Sequence, residues 1–248
     1  MRKKKINQSI SGRWKKEIFL ATILIQIFIF PLATNAFSVV IATDIHADSH
    51  RIIDSDKNRI IYPRNYKLCL DEIKKTNPDL VLFAGDLVNR GQKKYYLNLR
   101  DAMQGTQTLW VKGNHDSKNF RYLALDNYFT DFENWRFIIL DSSDKFGSST
   151  GFLENSQISL LSEWLKTDKN VAIAMHHPPF FYNSRKNIYT TDEIPLYDDF
   201  FKALTPNVKY VFTGHWHFNQ TSEINGISFI TQKALTQDKV CNYTNLDL

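Results

Sequence analysis

The chain has 248 residues, 43% of them hydrophobic and 23% charged, with a formal net charge of +5. That composition belongs to a globular protein and excludes disordered and collagen-like classes. The charge is concentrated at one end: residues 1–36 hold seven of the 31 basic and one of the 26 acidic residues, leaving 24 basic against 25 acidic groups in 37–248. A nearly neutral remainder gives no charge argument for nucleic-acid binding.

At the amino terminus a basic stretch ending at Lys16 precedes an apolar run from Ile18 to Ala33, broken by Thr22, Gln26 and Pro31 and followed by Thr34-Asn35-Ala36. Basic, apolar and small-residue parts in that order fit a secretory signal. The apolar run of 16 residues is shorter than the roughly 20 that span a bilayer. Residues 1–36 therefore read as a signal peptide, with an uncleaved membrane anchor as the alternative. Either reading exports residues 37–248, to the periplasm or the medium, and membrane contact is expected only if the segment stays attached.

From Phe37 onward, short apolar runs alternate with helix-like periodic segments, the pattern of one α/β or layered α+β domain over 37–248. Strands are expected at Phe37–Thr43, Leu80–Ala84, Thr108–Val111, Arg136–Leu140, Val171–Met175 and Val208–Thr213. Helices are expected near Tyr66–Thr76, Lys93–Met103, Glu154–Lys166 and Ile194–Leu204. Pro78 disfavours the α region at the preceding residue and helps to end the first helix. Asn225-Gly226 reads as a hairpin turn between Thr221–Ile224 and Ile227–Thr231. Cys69 and Cys241 lack metal-ligand spacing, and a disulfide and two free thiols are both compatible with their positions.

Six of the seven histidines fall in short motifs at or just beyond the ends of these strands. The motifs are Asp44-Ile45-His46, Gly85-Asp86, Gly113-Asn114-His115-Asp116, His176-His177-Pro178-Pro179 and Gly214-His215-Trp216-His217. Ligands of α/β sheets bind beyond the carboxyl ends of strands, so five such ends can share one space. Carboxylate, amide oxygen and imidazole without thiolate suit hard and borderline cations. Singly, Asp-x-His and Gly-Asp carry little weight, whereas Gly-Asn-His-Asp behind a strand has little structural reason to exist. The seventh histidine, His50, reads as a solvated loop residue.

The order and wording of these motifs resemble the calcineurin-like metallophosphoesterase family, in the branch related to cyclic-nucleotide phosphodiesterases. Further matches are Gly85-Asp86-Leu87-Val88-Asn89-Arg90-Gly91, Leu140-Asp141-Ser142, Gly151-Phe152-Leu153, Gln157 and Trp164-Leu165. The resemblance implies a four-layer α/β/β/α sandwich and hydrolysis of a small phosphomonoester or phosphodiester by a metal-bound hydroxide. The cofactor it implies is a pair of divalent or mixed-valence ions such as manganese, iron or zinc. Carried over by residue, Asp44, His46 and His217 would hold one metal, Asn114, His176 and His215 the other, and Asp86 would bridge them. His115 would protonate the leaving group, with Asp116 orienting or charge-balancing it. A tyrosine ligand to ferric iron, found in the purple acid phosphatases, is replaced here by Asn89, and Tyr95 is off register. His177 reads either as a residue packing its loop or as a contact to a ligand or the substrate, and Trp216 as a candidate wall beside the substrate. The aromatic and basic stretch Phe180–Ile194 reads as a selectivity loop or as packing on the sheet. A member of the same fold that binds metal without catalysis is the competing reading.

Overall fold

Alternation within the apolar runs sets the architecture, because successive strand residues face opposite sides of a sheet. The computed structural model describes residues 36–49, 52–54, 59–143, 151–179, 181–183, 188–190 and 197–248. Residues 1–35, His50 and most of the Phe180–Ile194 stretch lie outside the described residues. Phe37–Leu248 folds as one compact unit.

In chain order the strands are β1 (Ser38–Ala42), β2 (Ile52–Asp54), β3 (Arg59–Ile61), β4 (Leu80–Phe83) and β5 (Thr108–Trp110). They continue with β6 (Tyr128–Phe132), β7 (Trp135–Ile139), β8 (Asn170–Ala174), β9 (Phe181–Asn183) and β10 (Ile188–Thr190). Last come β11 (Val208–Thr213), β12 (Gln220–Ile224), β13 (Ile227–Thr231) and β14 (Thr244–Asp247). The helices are α1 (Tyr66–Lys75), α2 (Lys93–Ala102), α3 (Asn155–Trp164) and α4 (Tyr197–Ala203).

One sheet has the order β14-β1-β4-β5 and the other β12-β13-β11-β8-β7-β6, with β2–β3 and β9–β10 as separate ribbons. Strands β1, β4 and β5 run parallel, as do β7, β8, β11 and β13; β14, β12 and β6 pair antiparallel at the edges. Val39 and Ile41 of β1, Leu80 and Leu82 of β4, Phe137 and Ile139 of β7 and Phe212 of β11 meet between the sheets. The alternate residues Val40, Ala42, Val81 and Phe83 face outward onto Tyr66, Leu70 and Ile73 of α1 and Tyr96 and Leu99 of α2. On the far side Ile138, Val171, Ile173 and Val211 pack on Leu161 of α3 and Phe200 of α4. The result is the expected α/β/β/α order of layers.

Each expected strand and helix forms, with shifted ends, and Asn225 (φ 53°) and Gly226 (φ 75°) make the hairpin turn. The structure adds features that the expected elements did not include. β6 closes an antiparallel hairpin onto β7 through Glu133, at φ 49°. Its half-exposed Tyr-Phe-Thr-Asp-Phe gave no clean alternation. β14 pairs with β1 from the far end of the chain, register Val39 to Leu246. Helix α3 carries a capping box, in which Glu154 N–H donates to Gln157 Oε1 at 2.8 Å. Cys69 and Cys241, whose pairing the sequence left open, form a disulfide across 172 residues, which ties α1 to the tail just ahead of β14.

Candidate metal centre

The parallel strands β1, β4, β5, β8 and β11 each run into one of the five motifs. The crossing segments are tied by backbone hydrogen bonds: Asp44 N–H to Gly85 O, His46 N–H to Asp86 O and Gly214 N–H to His176 O, each 2.9 Å. Strand termini thus fix the relative height of the loops before any side chain is considered.

The backbone at these positions is unusual. Asp44 (φ 53°), His46 (49°), Asp86 (51°), His215 (69°) and His217 (54°) all sit in the left-handed region. Non-glycine residues rarely adopt it, and such strain concentrates at functional sites. The motif glycines have a matching cause. A Cβ on Gly85 would lie 2.4 Å from His176 Nδ1, one on Gly113 2.3 Å from Asp86 Oδ1, and one on Gly214 2.0 Å from Thr43 Oγ1. Each glycine clears room for a site residue carried by another strand. That packing role is invisible in a motif read alone.

Side chains then converge. Asp44 Oδ1 lies 3.1 Å from His217 Nε2 and 3.9 Å from His46 Nε2. Its other oxygen accepts the Thr43 hydroxyl at 2.8 Å and the His215 N–H at 3.0 Å. Asp86 Oδ1 accepts the His115 N–H at 2.9 Å. Its Oδ2 stands 3.3 Å from His176 Nε2 and 3.9 Å from His46 Nε2. His176 Nδ1 donates to Ala84 O at 2.8 Å, which turns Nε2 toward the centre.

Two groups of ligand-type atoms, Asp44/His46/His217 and His176/His177/His215, each gather within 4.8 Å, and a third, Asp44/Asp86/His176, links them. The carboxylate expected to bridge therefore lies between the two imidazole groups. Asn114 Oδ1 is buried with no partner, as are both ring nitrogens of His46, Nε2 of His176 and His177, and Nδ1 of His217. Buried polar atoms normally find partners, so this many orphans at one place point to a missing one. Their mixture of nitrogen and hard oxygen fits two cations of borderline character.

Electrostatics follow from burial without screening. Burial pushes His46 down to about 4, against the pull of Asp86 and Asp44. Burial also opposes charge on His176, but Asp86 and Asp44 overcome it and hold the imidazole up to about 10. Burial raises Asp44, but the His217 imidazole, joined by His176, more than offsets it and brings the carboxyl down to about 2. Asp86 likewise lies well below the usual carboxylate range, its burial offset chiefly by His176. Burial and then His176 bring His215 down to about 4.

His115 is exposed at the rim, its ring 5.1 Å from that of His46. Asp116 makes no hydrogen bond to it among the described residues. The Asp116 carboxylate is buried and accepts the N–H groups of Leu87 (3.2 Å), Val88 (3.0 Å) and Gly113 (2.9 Å) and the Tyr96 hydroxyl (2.9 Å). Those four donors fill its acceptor capacity, so Asp116 is the tie between the Gly85-Asp86 and Gly113-Asn114 loops rather than an orienter of His115. Burial, then Asp86, push it up to about 7. His177 is 1% exposed and lies beside His215, ring to ring 4.4 Å. Trp216 is half-buried and stacks on Phe218 at 5.5 Å.

Four supporting residues have contacts that the sequence did not assign. Thr43 fixes Asp44, Tyr96 fixes Asp116, Asp48 accepts the N–H groups of Asn89 (2.7 Å) and Arg90 (2.8 Å), and Ser142 holds His177. Ser142 was visible as a family match, but nothing in the sequence assigned it a contact.

The chain belongs to the calcineurin-like phosphoesterase family, whose model matches residues 37–219. The family consists of metal-dependent phosphoesterases with a dinuclear centre, in keeping with the donor set described above. A cAMP/cGMP dual specificity phosphodiesterase of Mycobacterium tuberculosis is 29% identical over 181 residues, covering 65% of this chain and 56% of that protein. A 3',5'-cyclic-nucleotide phosphodiesterase of Nostoc sp. is 30% identical over 203 residues, covering 73% and 71%. The chain thus spans little more than half of the mycobacterial relative. Among solved structures, a dimetal phosphatase from Danio rerio superposes with a TM-score of 0.65 at 14% identity, covering 86% of this chain and 93% of that one. At that identity the likeness concerns the fold alone.

Proposed function

We propose that the chain hydrolyses a small phosphodiester of the cyclic-nucleotide class at this centre. The observation that carries phosphoester hydrolysis is the pair of donor groups on either side of Asp86, with their partnerless buried atoms. The diester and nucleotide parts are supported by the names of the relatives, which are cyclic-nucleotide phosphodiesterases.

In this reading Asp44, His46 and His217 hold one cation and Asn114, His176 and His215 the other, with Asp86 shared. Bound there, two cations would supply Lewis-acid stabilisation of phosphate charge and lower the pKa of water. The protein contributes the rest. Asp44 and Asp86 stay ionised at neutral pH, and Thr43, His215 N–H and His115 N–H hold their oxygens in place. His115, at the rim, delivers a proton to the leaving oxygen. Trp216, next to two of the donors, offers a wall for the organic part of the substrate. Manganese, iron and zinc all suit the donor set.

Export is the proposed location. The basic, apolar and small-residue order of residues 1–36 supports it, and so does the Cys69–Cys241 bond, since disulfides persist in oxidising compartments.

The test is a panel of 3',5'-cyclic nucleotides, a chromogenic diester and a chromogenic monoester, run with manganese, iron or zinc supplied. Turnover of cyclic nucleotides that disappears in Asp86→Ala and Asn114→Ala, with both variants folded, is the expected result. Unchanged turnover in either variant refutes the site assignment, and hydrolysis of the monoester alone refutes the substrate class.

A further inference from the structure

Three imidazoles, of His176, His177 and His215, bring a ring nitrogen each within 4.8 Å of one another, which invites reading His177 as one more metal ligand. The hydrogen bonds around Ser142 argue against it. Ser142 is fully buried, and its Oγ accepts the backbone N–H of His177 at 3.0 Å while lying 2.9 Å from Nδ1 of the same residue. Among the described residues no other acceptor is bonded to that hydroxyl.

Two arrangements of protons are then open. If Nδ1 carries the hydrogen, it donates to Oγ, and the hydroxyl hydrogen of Ser142 is buried without an acceptor, a costly state. If Nδ1 is bare, the hydroxyl donates to it and every polar group of the pair is satisfied. The second arrangement leaves the imidazole hydrogen on Nε2, the atom that is buried and partnerless. A nitrogen carrying hydrogen cannot ligate a cation, but it can donate to an anion.

We propose that Ser142 sets His177 in its Nε2–H form, and that His177 is a neutral donor to a phosphate oxygen at the His176–His215 end of the centre, not a metal ligand. This rests on the phosphoesterase reading above. It also separates two adjacent histidines by role. His176 is turned by Ala84 O so that Nε2 faces Asp86, while His177 is turned by Ser142 so that its hydrogen faces the substrate.

The experiment uses the full chain with Ser142→Ala, His177→Ala and His177→Gln, the glutamine keeping an amide donor near the Nε2 position. Metal content is measured after manganese loading, inorganic phosphate affinity is measured on the loaded protein, and histidine tautomers are read from long-range ¹H–¹⁵N spectra of the metal-free protein. The expected result is two manganese ions in all variants and phosphate affinity about tenfold weaker in His177→Ala, the loss of one hydrogen bond to a charged group. Glutamine should recover most of that affinity, and the His177 signals should report the Nε2–H form and lose that preference in Ser142→Ala. Loss of one manganese equivalent in His177→Ala, an Nδ1–H tautomer, or unchanged phosphate affinity would overturn the proposal. A wild-type chain that takes up no metal overturns the phosphoesterase reading, and this inference with it.

Discussion

Replacing Gly214 by alanine is expected to damage the centre through a single methyl group. The new Cβ would lie 2.0 Å from Thr43 Oγ1, 2.8 Å from Asp44 Oδ2 and 3.0 Å from Ala84 O. A comfortable contact needs about 3.5 Å, so Thr43 Oγ1 must move by more than 1 Å or rotate away. Rotation breaks the donation its single hydroxyl hydrogen shares between Asp44 Oδ2 (2.8 Å) and Ala84 O (3.0 Å), and Thr43 is fully buried. Overpacking and one lost buried hydrogen bond together predict a destabilisation of about 2–4 kcal/mol. Because Thr43 steadies a proposed ligand, metal affinity should fall by about 10- to 100-fold as well. Urea unfolding of metal-free protein reads the first quantity and metal titration the second. Thr43→Ala removes the atom struck, so the Thr43→Ala/Gly214→Ala pair should cost less than the two single changes added together. Wild-type stability and metal affinity in Gly214→Ala, or strict additivity in the pair, would refute the steric argument.

Tyr96→Phe removes the hydroxyl that donates to Asp116 and accepts the Ser117 N–H; urea unfolding should show a loss of about 1–3 kcal/mol. Cys69→Ser/Cys241→Ser, which opens a link across 172 residues, should cost about 3–5 kcal/mol, and wild-type protein melted with reductant should match it. In Asp131, two bonds from the Arg136 guanidinium outweigh slight burial and lower the carboxyl below its ordinary range. A depressed carboxylate contributes stability above its unfolded pKa and loses it as pH falls through the folded one. Asp131→Asn should therefore cost about 0.5–1 kcal/mol at pH 7 for a partly exposed pair, and almost nothing once the pH is below both values. A gap that stays constant with pH would count against the pairing.

Much of the fold was legible because buried parallel strands must be continuous apolar runs, and each of the expected runs becomes a strand. Strand β14 was not, since Thr244–Asp247 is polar enough to read as tail until β1 supplies a partner from the other end of the chain. The disulfide has the same character. Nothing near Cys69 or Cys241 announces the other, and only the docking of the tail against α1 brings them together.

The site divides along the same line. Residue types at strand ends state which donors exist, and carboxylate, amide and imidazole at those ends already name metal chemistry. Orientation is decided by neighbours remote in sequence. Asp116 follows His115 directly, yet its side chain turns inward to the amides of Leu87 and Val88. His176 and His177 are adjacent and chemically identical, but Ala84 O takes one ring and Ser142 Oγ the other. Sequence by itself determined the donor inventory and the layer in which it sits, because both follow from local hydrophobicity and residue chemistry. Tertiary structure decided which atom of each donor faces the centre, because that depends on hydrogen bonds and steric room supplied by other strands.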